Sequence, residues 1–273
     1  MATLKIGVLV GLEKDPRREL AKVRDLGLDS CQLCCWDPQV YSPQVAEAAR
    51  TAAAELGVEI TSLWAGYPGP THWDFREGPS TIGFVPAQYR EMRVAAVLKG
   101  ADFASSAAIP SVTTHAGFIP ENAADPVYGD AVGALRRIAQ HCQALGLWFC
   151  LETGQETPIT LLRVIQDIGT GNVGVNLDPA NLLMYGKANP WDALDILGKY
   201  VRGVHAKDGE YPTDPMELGV ERPLGQGRVN IAALITKLKA LGYQGALTIE
   251  REITGDQQIE DIRQGAALLR TLV

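Results

Sequence analysis

Residues 144–178 read ALGLWFCLETGQETPITLLRVIQDIGTGNVGVNLD, and this stretch contains the unit from which the rest of the chain is built. It opens on Ala144-Leu145-Gly146, where Gly supplies the left-handed residue that ends a helix. A short apolar run then leads to Glu152, a stretch of helical periodicity follows, and a second apolar run closes on Asp178. Working outward, the same alternation yields candidate strands at 4–10, 29–35, 59–64, 111–115, 147–152, 173–178, 201–207 and 246–250. Each is followed by a helix-like segment, as at 43–56, 86–99, 127–145 and 231–241. Leu-Gly stops recur at Gly27, Gly57 and Gly242. Eight βα units with no linker between them predict an α/β chain folded as a single (β/α)8 barrel domain over 1–273, close to the roughly 250 residues such a barrel uses.

Composition narrows the function classes. Apolar residues make up 46% and charged residues 21% of the chain, as expected for a globular protein with a large core. A net charge of -7 repels a phosphate backbone, and no basic groove is visible, so nucleic acid is not an expected partner. The apolar run within 1–11 is too short to span a bilayer and lacks the charged start and cleavage site of a signal peptide, so a cytoplasmic protein with no membrane partner is expected. Cys31, Cys34, Cys35, Cys142 and Cys150 form no disulfide framework. Cys31 and Cys34 spell C-x-x-C without a second pair, which reads as core thiols.

Four candidate strands in the second half end in a possible metal ligand: Glu152, Asp178, His205 and Glu250. Strand ends at the C-terminal mouth of a barrel converge, so these residues can meet although far apart in sequence. Period-two alternation points Cys150, Asn176, Gly203 and Thr248 inward as well, with Leu151, Leu177, Val204 and Ile249 facing the helices. Ionised carboxylates inside a barrel cost several kcal/mol unless paired, and no Arg on these strands faces them, so the set calls for a cation. One imidazole with three carboxylates suits one divalent ion, Mn²⁺, Mg²⁺ or Co²⁺, with Zn²⁺ also accommodated. The competing reading is that each acid caps a helix or pairs with Lys207, Arg222 or Arg251.

Over essentially its whole length the chain resembles the xylose-isomerase-like barrels known as sugar phosphate isomerases/epimerases, which include ketose 3-epimerases and inosose dehydratases. The segments that carry the resemblance are Leu151-Glu-Thr-Gly154, Asn176-Leu-Asp-Pro-Ala-Asn-Leu182, Val204-His-Ala-Lys-Asp208, Pro223-Leu-Gly-Gln-Gly227 and Thr248-Ile-Glu-Arg-Glu252. It implies that Glu152, Asp178, His205 and Glu250 bind the metal and that Glu152 and Glu250 exchange a proton with a substrate carbon through an enediolate. The chain departs from the 3-epimerases at Asn181, where they carry His, and at Tyr211, where they carry Arg. Both family residues contact substrate, so the metal site transfers better than the substrate.

Other residues complete the expected site. His115 ends the fourth strand at the same mouth and could touch substrate or serve as an acid, or be a satisfied structural His. Lys207 shares the parity of His205 and could reach a substrate oxygen or a carboxylate. Trp64, with Tyr67, Trp73 and Phe75, could wall the site, and Asn181 is a further candidate substrate contact. The long loops 65–85 and 208–228 fall on the catalytic face. Gly225 and Gly227 are expected to make the second loop mobile, and Arg222 and Arg228 could hold an anion there. Glu156, four residues past Glu152, could support the metal ligands from behind, but the preferred reading is an exposed acid at a helix start.

The function expected is a metal-dependent sugar or sugar phosphate isomerase/epimerase with a small carbohydrate substrate and possible homo-oligomers. The same site could also serve a dehydratase that expels a β-hydroxyl. An abasic-site endonuclease of the same superfamily needs more histidines than His72, His115, His141 and His205, and a non-catalytic sugar-binding barrel would leave the ligand set without a role.

Overall fold

Eight parallel strands close into a barrel in the computed structural model, which describes residues 3–273. Strands β1 (Ile6–Gly11), β2 (Ser30–Cys35), β3 (Glu59–Ala65), β4 (Ser111–His115), β5 (Trp148–Glu152), β6 (Val173–Leu177), β7 (Val201–Ala206) and β10 (Leu247–Ile249) run in that order, and β10 pairs back onto β1. Two further strands, β8 (Asp208–Gly209) and β9 (Glu221–Arg222), form a small antiparallel ribbon in the loop after β7. The main outer helices are α1 (Pro16–Asp25), α2 (Pro43–Leu56), α4 (Ala87–Ser106), α5 (Pro126–Ala144), α6 (Pro158–Ile168), α8 (Pro190–Leu197), α9 (Ile231–Ala240) and α10 (Asp256–Leu272). Short helices α3 (Gly78–Thr81) and α7 (Pro179–Met184) lie at the mouth.

The helix stops behave as the sequence implies. Gly27, Gly57, Gly146 and Gly242 all adopt positive φ, between 63° and 81°. Helix α4 runs seven residues past the expected end at Lys99, through Gly100. A Cβ at Gly100 would lie 3.4 Å from Tyr41 and Ala65, so the glycine serves close helix–sheet approach instead of breaking the helix.

Parity sorts the core into two layers. Leu151, Leu177, Val204 and Ile249 are buried under the helices, while Gln32, Ser62, Thr113, Cys150, Asn176 and Gly203 line the barrel interior. That interior is polar and internally bonded: Ser62 Oγ lies 2.9 Å from Thr113 Oγ1, and Gln32 Nε2 donates to Asn176 Oδ1 at 3.0 Å. The five cysteines are unbonded, and burial pushes the Cys31 and Cys150 thiols up to about 12.

Both long loops are held by single buried side chains. Arg93 of α4 is wholly buried and donates to the carbonyls of Pro68, Pro70 and Gly83, with its guanidinium 4.4 Å from the Tyr67 ring centroid. Asp208 accepts from the backbone N–H groups of Gly209, Gly225, Gly227 and Val229 at 2.9–3.0 Å. The expectation that Gly225 and Gly227 make this loop mobile is therefore corrected. A Cβ at Gly227 would sit 2.2 Å from Asp208 Oδ1, so this glycine makes room for the carboxylate that pins the loop. Among the described residues, no helix is long and apolar enough to cross a membrane.

Candidate metal centre

The strand ends bring Glu152, Asp178, His205 and Glu250 together at the mouth, each offering a ligand atom within 4.8 Å of the others. Glu152 is the last residue of β5 and His205 lies in β7, while Asp178 and Glu250 sit one residue past β6 and β10. His205 Nδ1 is 3.2 Å from Glu152 Oε1, 3.0 Å from Glu250 Oε2 and 3.7 Å from Asp178 Oδ2. The other ring nitrogen, Nε2, lies 3.0 Å from Gln32 Oε1. Because the Gln32 amide nitrogen is engaged by Asn176, its oxygen faces the ring and calls for a proton on Nε2. A neutral His205 then turns the lone pair of Nδ1 toward three carboxylates, which is repulsive unless a positive charge lies between them.

Asp178 shows that capping and ligation are compatible. Its Oδ1 accepts from Asn181 N–H at 2.8 Å and caps α7, whereas Oδ2 is fully buried and makes no hydrogen bond. Glu250 Oε2 likewise has no hydrogen-bond partner, although Lys207 Nζ stands 3.3 Å away. Lys207 is wholly buried, 3.5 Å from Asp178 Oδ2 and 3.1 Å from Glu252 Oε1, and it donates to Asn181 Oδ1 at 3.3 Å. Three carboxylates, two buried and Glu250 partly buried, against one ammonium leave a formal charge of −2, which a divalent cation neutralises. The residues therefore fit a divalent ion by charge, donor type and unpartnered oxygens.

The electrostatics carry the same signature. Burial acts to lower the His205 pKa, but the facing carboxylates of Glu250 and Glu152 outweigh it and hold the group well above the usual imidazole range. Burial acts to raise Glu250, and Lys207 with His205 overrides it, leaving the acid well below the usual carboxylate range. Burial dominates at Asp178, which is raised despite Lys207. Each direction expresses the pocket's demand for positive charge at one point.

The pocket above these ligands encloses about 390 Å³. Trp64 Nε1 donates to Glu152 Oε2, and Asn181 Nδ2 donates to Glu152 Oε1 at 3.3 Å, so Asn181 links Glu152 to Lys207. His115 lines the pocket with Nε2 3.7 Å from Glu152 Oε2 and with Nδ1 unpartnered. Trp73 lines it too, while Tyr67 lies beneath, accepting from Gly83 N–H, and Phe75 packs on Tyr185 at 6.3 Å. Arg222 and Arg228 are exposed and line no part of the pocket. Arg222 pairs with Glu210 at 2.8 Å, so the idea that they hold an anion in the site is corrected. Arg251 lines the pocket but is bound to Glu221 and Asp261 at 2.7 and 2.8 Å.

Glu156 is also corrected. It is 1% exposed, lies before the N-cap Thr157, and has both oxygens unpartnered; burial pushes its pKa up to about 8. Sequence reading missed Gln32 altogether. The available signal was a long polar side chain in the middle of the apolar strand Cys31-Gln32-Leu33.

Among solved structures, a xylose isomerase domain protein from Planctomyces limnophilus shares 34% identity with a TM-score of 0.93, covering 99% of this chain and 98% of that one. A D-psicose 3-epimerase determined in the presence of D-fructose shares 17% identity with a TM-score of 0.73, covering 98% and 99%. A xylose isomerase-like TIM barrel protein from Mycobacterium smegmatis in complex with magnesium shares 22% identity with a TM-score of 0.73, covering 100% and 98%. Residues 20–272 match the family described as xylose isomerase-like TIM barrel, and with that match spanning nearly the whole barrel, the chain belongs to this family.

Proposed function

We propose that this protein is a divalent-metal-dependent isomerase or epimerase of an uncharged polyhydroxy carbonyl compound. The observation that carries the reading is the orientation of His205, whose Nε2 is engaged by Gln32 while Nδ1 faces three acids. Glu152, Asp178, His205 and Glu250 would hold the ion, Mn²⁺ or Mg²⁺ by the hardness of the donors, and the magnesium complex of a structural neighbour supports that choice. When bound, the ion supplies Lewis-acid stabilisation of the negative charge that develops on the substrate oxygens as a proton leaves the adjacent carbon.

Proton movement falls to the two glutamates. Glu152 and Glu250 approach the pocket from β5 and from the end of β10, with β6 and β7 between them around the barrel. Glu152 removes a proton from one face of the carbon next to the carbonyl, and Glu250 returns one to the other face, inverting the centre. Trp64 fixes one oxygen of Glu152, and Lys207 holds Glu250 and Asp178 in place without facing the pocket. His115 and Asn181 line the pocket beside Glu152, where they contact substrate hydroxyls.

The substrate is uncharged because no cation is free to take a phosphate. Among the residues lining the pocket, Arg251 is the one cationic group, and it is neutralised by Glu221 and Asp261. The epimerase neighbour studied with D-fructose supports an unphosphorylated sugar. Solvent-deuterium exchange of Mn²⁺-loaded protein against ketoses, keto-inositols and glycosides of keto sugars tests the proposal: label enters a recovered sugar in wild type and not in Glu250→Gln. Absence of exchange across the panel would contradict it, and products that have lost water would instead assign a dehydratase.

A further inference from the structure

Two half-exposed indoles stand at the pocket mouth, beyond the reacting centre. Trp36 is 42% and Trp73 43% exposed, yet both line the pocket. Trp36 sits just after β2, with its ring centroid 5.0 Å from buried Trp64 and 6.2 Å from Trp73. Trp64 in turn donates to Glu152, so an aromatic surface runs without interruption from the candidate metal centre to the rim. The Trp36 and Trp73 planes meet at 76°, forming a corner.

This corner is built. A Cβ at Gly66 would lie 2.6 Å from the Trp36 ring, so the indole rests on backbone that only a glycine leaves open. Trp73 packs over His115 at 5.2 Å. The pocket lining also includes polar Glu252 and Gln258. A sugar whose carbonyl lies at Glu152 and Glu250 meets Trp64 and His115, and leaves Trp36 and Trp73, one ring further out, uncovered.

We propose that Trp36 and Trp73 form a second subsite that stacks a ring attached to the reacting sugar, so that the substrate is an uncharged glycoside bearing its carbonyl elsewhere on the sugar ring rather than a free monosaccharide. The proposal rests on the reading that the pocket receives a sugar. Aromatic faces bind the apolar faces of sugar and aryl rings, while Glu252 and Gln258 in the same lining serve hydroxyls, a combination that matches a two-ring ligand.

Isothermal titration of the Mn²⁺-loaded protein with methyl β-D-glucopyranoside and phenyl β-D-glucopyranoside tests this. The phenyl compound is expected to bind at least tenfold more tightly, and that ratio is expected to fall toward one in Trp36→Ala and Trp73→Ala. Trp36 supports Trp64, so if Trp36→Ala does not fold, Trp73→Ala and the wild-type ratio decide the matter without it. A wild-type ratio within twofold, a ratio intact in a folded variant, or no binding of the phenyl compound overturns the proposal. Deuterium exchange separates the two readings. A preserved ratio without exchange in any sugar sinks the epimerase and leaves the subsite, whereas exchange without a ratio sinks the subsite alone.

Discussion

Gln32 Oε1 lies 3.0 Å from His205 Nε2, and the Gln32 amide nitrogen is itself held by Asn176 at 3.0 Å. The pair therefore fixes which ring nitrogen carries a proton and which faces the acids. Gln32→Leu removes the acceptor and strands a buried N–H. Metal affinity is expected to fall about 10–100-fold, and stability by about 1–3 kcal/mol. Titration of Mn²⁺ into wild type and variant, with parallel urea unfolding, measures both. Unchanged affinity in a folded Gln32→Leu protein would show that the orientation of His205 is set by something else.

Gly203 probes the same pair from below. A Cβ there would lie 2.3 Å from Asn176 Oδ1 and 3.3 Å from Gln32 Nε2. Gly203→Ala is expected to displace the amides at a cost of about 1–3 kcal/mol, the usual range for overpacking. Thermal unfolding checks this, and a variant as stable as wild type contradicts the tight fit.

Glu156 makes stability depend on pH in a definite direction. Burial raises its pKa from 4.5 to about 8, so the folded state holds a proton that the unfolded state releases. The folded state thus binds more protons between these values, and stability contributed by this group is lost as pH rises from about 4.5 to about 8. Glu156→Gln removes the dependence, so the variant should gain on wild type by up to a few kcal/mol at pH 8 and little at pH 4.5. Urea unfolding across that range reads the difference; a gain equal at both ends would mean that Glu156 does not titrate there.

Asp208 holds four backbone N–H groups of the 208–229 loop. Asp208→Ala should release that loop, which carries Arg228, followed by Val229, as a trypsin site. Cleavage after Arg228 is expected to accelerate at least tenfold, while the variant keeps its far-ultraviolet circular dichroism. Equal cleavage rates would show that the ribbon of β8 and β9 holds the loop without Asp208.

The legible part of this molecule was the part with local periodicity. Apolar runs and Leu-Gly stops located all eight barrel strands, and parity placed Cys150, Asn176 and Gly203 on the inner face. Residues whose partners are distant in sequence were harder. Glu156 precedes Thr157-Pro158, a pattern typical of an exposed helix start, and its burial arises only from tertiary packing at the mouth. Arg93 looks like any helical arginine, since the three carbonyls it binds belong to a loop about ten to twenty-five residues away. Trp36 follows a strand with nothing local to show that its ring would meet Trp73 across the mouth.

Calorimetric titration of Mn²⁺ into protein stripped with a chelator tests the four-residue centre most directly. One ion per chain is expected in wild type, with binding lost in Asp178→Asn and His205→Gln that remain folded. No uptake by the wild-type protein, or uptake undiminished in both variants, would contradict the account.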